Sequence, residues 1–171
     1  MLEALFGLIL TMIGFSAIFS LQNAQMEASM TARDIGAASN IADQAAALLM
    51  QDSYEWTSLL IPGPRLNQPV REWHSLNDFP VDQNMQSHQS DDAIQGTFIR
   101  RQRFCIHYWL NPLQGVYDGL INARIRVIWP RSATDQTIMK SVCGQDNVGN
   151  YDPTSGQWLS LTFPLVLRRH P

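Results

Sequence analysis

The sequence predicts an α+β fold, with one long amino-terminal helix packed on a carboxy-terminal antiparallel sheet. Three observations predict it. No proline occurs before Pro62, and the residues up to about Gln51 are rich in Ala, Leu, Met, Gln and Ile, which favour helix. Between Pro62 and Gly96 the chain is punctuated by Pro64, Pro69 and Pro80 and by polar, turn-forming residues. After Gly96 the apolar residues recur at strand spacing, and a run of strands after one helix reads as a meander against a single helical face.

The helix has two halves. Residues 1–25 are apolar as far as Leu21 and carry one charge, Glu3, with no other until Glu27. About 20 such residues suffice to cross a bilayer as a helix. A secretory signal peptide opens on basic residues, and here no Lys or Arg precedes Arg33, so the segment is expected to be retained. An unpaired carboxylate is unfavourable in hydrocarbon by several kcal/mol. Glu3 therefore needs a cation, and an amino terminus, its own or a neighbour's, is the group at hand. Residues 26–53 turn amphipathic, with Ala38, Ile41, Ala45 and Leu48 on one face. The two halves are expected to form one helix. Gly7, Gly14 and Gly36 each weaken it by about 1 kcal/mol relative to Ala.

Residues 54–96 read as a connecting region with a short helix near Val70–Trp73, tacked down by Trp73 and Phe79. Residues 97–171 read as the sheet. The expected strands are Thr97 to Leu110, Leu120 to Trp129, Ile138 to Cys143 and Trp158 to Leu167. The second is the clearest: Ile121, Ala123, Ile125, Val127 and Trp129 share one face and Asn122, Arg124 and Arg126 the other. Pro164 marks the last as an edge strand or a bulge. Residues 26–171 together are the length of one globular domain.

Charge is unevenly distributed. Residues 1–96 carry eleven acids against three arginines, and residues 97–171 carry nine basic residues against four acids. The ordinary account is a basic sheet beside an acidic helix; the sharper ones are complementary contact between subunits, or attraction of a polyanion. Arg100, Arg101, Arg103, Arg124 and Arg126 are the residues a polyanion such as DNA would meet, with a solvated sheet face as the alternative. Cys105 and Cys143 fall in segments expected to be strands, and an exported domain makes a disulfide between them the default.

The opening Met1-Leu2-Glu3-Ala4-Leu5, with Leu8, Gly14 and Leu21-Gln22, resembles the amino terminus of type IV pilins and type II secretion pseudopilins, most of all minor pilins of the PilV type. The strand end Ile125-Arg126-Val127-Ile128-Trp129 is similar to the hydrophobic-x-hydrophobic-x-Trp strand common in those minor pilins. The specific similarity covers residues 1–25 and this strand; the rest agrees in architecture. In that family a basic leader is cut just before a Phe, and a glutamate lies four residues beyond it. With Glu3 on that glutamate, the chain begins two residues into the family's mature sequence, so neither the cleaved bond nor the methylated residue is assigned here.

The resemblance implies a structural minor pilin-like subunit in or near the tip of a type IV pilus-like filament, priming assembly or modulating adhesion. It implies a single pass in the inner membrane with a periplasmic carboxy-terminal domain before assembly, and a cell-surface filament afterwards. Implied partners are other pilin subunits, the inner-membrane assembly machinery and the lipid bilayer. Glu3 would pair with the amino terminus of an adjacent subunit and set the depth at which the helix enters the bundle. Because the acid is kept, the subunit is expected below the extreme tip. The rival reading is a membrane-anchored periplasmic binding protein or receptor, for DNA or a ligand, that never polymerises.

Enzyme chemistry finds no motif. There is no G-x-S-x-G, Walker A or G-x-G-x-x-G, and no cofactor is called for. His74, His88, His107 and His170 are scattered, and His107, beside Tyr108 and Trp109, reads as a packed strand residue. Asp146, Asn150 and Asp152 are a weak calcium candidate without the glycine and distal Glu of an EF-hand loop; an Asx-rich turn is the ordinary account. Neither Cys has metal-ligand spacing to another Cys or a His, so zinc is not expected.

Overall fold

The structure, a computed structural model, describes residues 2–54, 65–66, 68, 70–87, 103–113, 119–131, 139 and 141–168. Helix α1 spans Leu2–Tyr54, 53 residues without a break. Two compact units divide the chain, Met1–Gly36 and Ala37–Pro171.

In the first unit the large apolar side chains between Phe6 and Leu21 are exposed. This helix is long and apolar enough to cross a membrane. Two hydroxyls within the apolar stretch are satisfied by the helix itself. Thr11 Oγ1 donates to the Gly7 and Leu8 carbonyls at 3.0 and 2.9 Å, and Ser16 Oγ to the Ile13 carbonyl at 2.8 Å. Internal satisfaction of polar groups is the condition for burial in lipid.

The second unit is a four-stranded antiparallel sheet in sequence order. Its strands are β1 (Trp73–Ser75), β2 (Cys105–Pro112), β3 (Leu120–Pro130) and β4 (Trp158–Arg168). Ala38, Ile41, Ala42, Ala45, Ala46 and Leu49 of α1 are buried in one cluster with Ile106, Tyr108 and Leu110 of β2, Ile121, Ala123, Ile125 and Val127 of β3, and Leu165 and Leu167 of β4. The helix period selects the first set and the strand alternation the others. Four of the six helical residues are alanines, so the strands supply most of the core volume. The helical face is centred on Leu49; Leu48 is half-buried.

The far end of α1 is fastened by a charge pair. Asp52, 4% exposed, accepts from Arg65 Nη1 at 2.8 Å, and the Arg65 amide lies 3.3 Å from its other oxygen. The Tyr108 hydroxyl donates to the Arg65 carbonyl at 3.2 Å. Burial, with Asp52 adding to it and Arg65 opposing, pushes the Tyr108 phenol up to about 12.

Three sequence expectations need correction. Met139 is helical and residues 141–143 turn, in place of the expected strand Ile138 to Cys143: the Val142 and Cys143 amides both donate to the Met139 carbonyl, at 3.2 and 3.1 Å. Period alone does not distinguish a short apolar run in a strand from one packed over a sheet. The short helix near Val70–Trp73 is a turn at Val70 and Arg71 leading into strand β1, which pairs with β2. Of the strand expected from Thr97 to Leu110, residues 97–102 lie outside the described residues, and β2 runs two residues past Leu110, with Asn111 and Pro112 in register opposite Asn122 and Ile121. Pro130 is the last residue of β3, as Pro112 is of β2, and β4 with its Pro164 is an edge strand of the sheet as expected.

A second, smaller core lies on the sheet's other face: Cys105, Ile128, Met139, Val142, Cys143 and Trp158, with Tyr151 packed against it. Cys105 and Cys143 form a disulfide, Cα to Cα 5.3 Å, joining β2 to the turn. The chain then passes Gly144 at φ +86° and enters a 3-10 helix, Gln145–Asn150. A Cβ at Gly144 would meet the Asp78 carbonyl at 3.3 Å, and its backbone angles suit glycine alone.

Candidate functional site

Candidate side chains gather on the sheet face opposite α1. Strand alternation puts Cys105, His107 and Trp109 of β2 there, opposite Ile128, Arg126 and Arg124 of β3. Trp73 of β1 stands beside Trp109, and Thr162 and Pro164 of β4 stand beside Arg126 and Arg124.

Arg126 occupies the centre of this face. Its guanidinium carbon lies 4.1 Å from the centroid of Trp73 and 4.1 Å from that of Tyr151, a cation between two aromatic rings. Its Nη2 donates to His107 Nδ1 at 3.0 Å. His107 is fully buried and donates from Nε2 to the Val142 carbonyl at 2.9 Å, so both ring nitrogens are engaged. These bonds select the neutral ring protonated at Nε2. Burial and then the neighbouring Arg126 hold the His107 pKa down at about 4. Burial also lowers the Arg126 pKa, with Tyr151 acting in the other direction.

Along the same face Arg124 lies over Trp109, 5.2 Å from its ring centroid. Arg124 is exposed and forms no hydrogen bond or ion pair with any described residue. Arg103 donates from Nη2 to the Pro130 carbonyl at 3.1 Å. Arg100 and Arg101 lie outside the described residues, as do His88 and His170. Thus Arg103, Arg124 and Arg126 do not form one cationic cluster. The first is tied to backbone, the third is held between rings, and Arg124 alone of the three presents an open guanidinium.

No family model, curated protein or solved structure matches the chain.

The remaining candidates are Glu3 and the polar residues on either side of Tyr151. Glu3 is exposed in the first turn of α1, where the helix dipole favours an acid. Asp152 Oδ1 accepts from the Thr154 amide at 2.8 Å and the Thr154 hydroxyl at 2.7 Å. Those two bonds, the hydroxyl's first, hold its carboxyl below the usual range. Asn150 Nδ2 donates to the Ser141 carbonyl and to Asn147 Oδ1, at 3.0 and 3.2 Å, and Asp146 opens on a shallow cavity beside Asp78. Among the described residues no three His, Cys, Asp or Glu side chains are grouped to hold a metal ion.

Sequence reasoning placed Arg124 and Arg126 on one strand face but missed what they stack on. Trp73 comes from β1, where the sequence predicts a connecting region with a short helix near Val70–Trp73, and Tyr151 from a segment more than 20 residues further along the chain than Arg126. Neither ring lies near Arg126 in the sequence, so no local pattern announces the stack.

Proposed function

We propose that this chain is a minor pilin-like structural subunit, anchored by α1 in a membrane and later built into a filament. The observation that carries the reading is the single helix Leu2–Tyr54. One part of it exposes apolar side chains with an acid in the first turn, and another buries an alanine-rich face in the core of an antiparallel sheet. A helix apolar on the outside is stable in lipid or among other such helices, and both environments are successive homes for a filament subunit. Glu3 then sets register: its carboxylate is stable in an apolar bundle only where a neighbour's amino terminus reaches it. The carboxy-terminal domain is carried on or near the filament tip, where it primes assembly or modulates adhesion. The partners are other pilin subunits, the inner-membrane assembly machinery and, before assembly, the bilayer.

The test is incorporation. Glu3→Ala should lower the amount of this protein in sheared fibres on immunoblot while leaving its amount in the membrane fraction unchanged. Wild-type incorporation of that variant, or absence of the wild-type protein from fibres altogether, would remove the filament reading and leave the anchored binding protein.

A further inference from the structure

We propose that the uncovered half of the outer sheet face docks the acidic amino-terminal half of a second copy of this chain. The inference rests on the filament-subunit reading and names a partner surface for the sheet.

The register divides this face in two. Rows Cys105–Ile128–Ser160 and His107–Arg126–Thr162 lie under the segment that carries Val142, Cys143 and Tyr151. Rows Trp109–Arg124–Pro164 and Asn111–Asn122–Val166, with the pair Leu120–Arg168 beyond, have none of the described residues of that segment over them. Arg124 and Arg168 lie on adjacent strands two rows apart, four residues along the strand direction, which places their Cα atoms about 14 Å apart. Arg71 joins them from the β2 side: its amide donates to the Leu110 carbonyl at 2.8 Å and its Nε to Asn111 Oδ1 at 3.4 Å. Strands β2, β3 and β4 contain no Asp or Glu. Arg124 and Arg168 are exposed and form no ion pair with any described residue, and Val166 between them is 61% exposed.

The counter-charge sits elsewhere in the sequence. Residues 1–96 hold eleven of the fifteen acids, and among them Glu27, Asp43, Glu72 and Asp78 are exposed and form no ion pair with any described residue. Guanidinium groups pair bidentately with carboxylates, and an exposed apolar residue among them supplies the desolvated centre such a contact needs. A contact between two different surfaces of the same chain is heterologous, so it propagates from copy to copy instead of closing a dimer. Single-stranded nucleic acid fits this face less well. It needs open aromatic rings on which to stack, and the rings of Trp109 and Trp73 already carry Arg124 and Arg126.

Sedimentation of the full chain in detergent micelles tests this. The mass of the wild type should at least double as salt falls from about 0.1 M to about 0.01 M, where the Debye length grows from ~10 to ~30 Å. R124E/R168E should stay monomeric throughout, and R124K/R168K should follow the wild type. Both sites are exposed, and an unchanged melting temperature shows that the variants are folded. Undiminished association of R124E/R168E, a wild type monomeric at low salt, or binding of a single-stranded oligonucleotide by a monomer would each overturn the proposal. Loss of this association alongside normal fibre incorporation removes the docking surface alone. Charge-dependent association by a protein absent from fibres supports the docking and removes the filament reading.

Discussion

Arg126 Nη2 points at His107 Nδ1 across 3.0 Å, while the opposite nitrogen of the same imidazole holds the Val142 carbonyl at 2.9 Å. One neutral histidine thus links the centre of the sheet to the turn that the disulfide also fastens. A proton on Nδ1 would set two cations face to face in a buried site, so the link holds only while His107 is neutral.

Stability should therefore fall with acid. The folded His107 pKa, about 4, lies below its ordinary 6.5, so between these values the unfolded chain binds a proton that the folded chain does not. The contribution is full above about pH 6.5 and is lost as pH falls toward 4, by up to roughly 3 kcal/mol. Urea denaturation at pH 7 and pH 4.5 should show the loss, and His107→Gln should flatten this part of the pH dependence. An equal pH slope in that variant would assign the effect to other groups.

The disulfide closes a loop of 38 residues. The chain-entropy relation gives about 4 kcal/mol for a loop of this length. Replacing Cys105 and Cys143 together by Ser should lower unfolding free energy by that order. Reductant should then destabilise the wild type and leave the variant unmoved.

Asp52 and Arg65 offer a third measurement. Asp52 is nearly buried whereas the Arg65 side chain is 36% exposed, so removing the guanidinium strands the less solvated partner. Arg65→Ala should destabilise by about 2 kcal/mol, and the double variant Asp52→Ala with Arg65→Ala by less than the sum of the two singles. Additive effects in that cycle would mean the pair contributes nothing of its own.

A charge placed mid-way along the exposed apolar stretch should abolish membrane association. Leu10 is 68% exposed, and arginine at the centre of a spanning helix is unfavourable by about 3 kcal/mol. Leu10→Arg should shift the protein from the carbonate-resistant membrane pellet toward the supernatant. Ala47→Arg, on the exposed side of the amphipathic part, should not.

Local sequence determined the elements whose signals are periodic and long. Helix α1 was legible because more than fifty residues lack proline and end where the prolines begin, and β3 because its alternation is uninterrupted from Ile121 to Trp129. The face of α1 that meets the sheet followed from the same spacing, and the disulfide followed from two cysteines in a chain with an apolar amino-terminal helix. Tertiary structure alone decided that residues 139 and 141–143 fold over the sheet, that β1 exists, and that Arg126 lies between Trp73 and Tyr151. The reason is physical. Periodicity reports which side of an element avoids water, whereas a three-residue strand, a covering turn and a ring-stacked cation depend on partners distant in sequence, and their stability appears only when those partners are brought together.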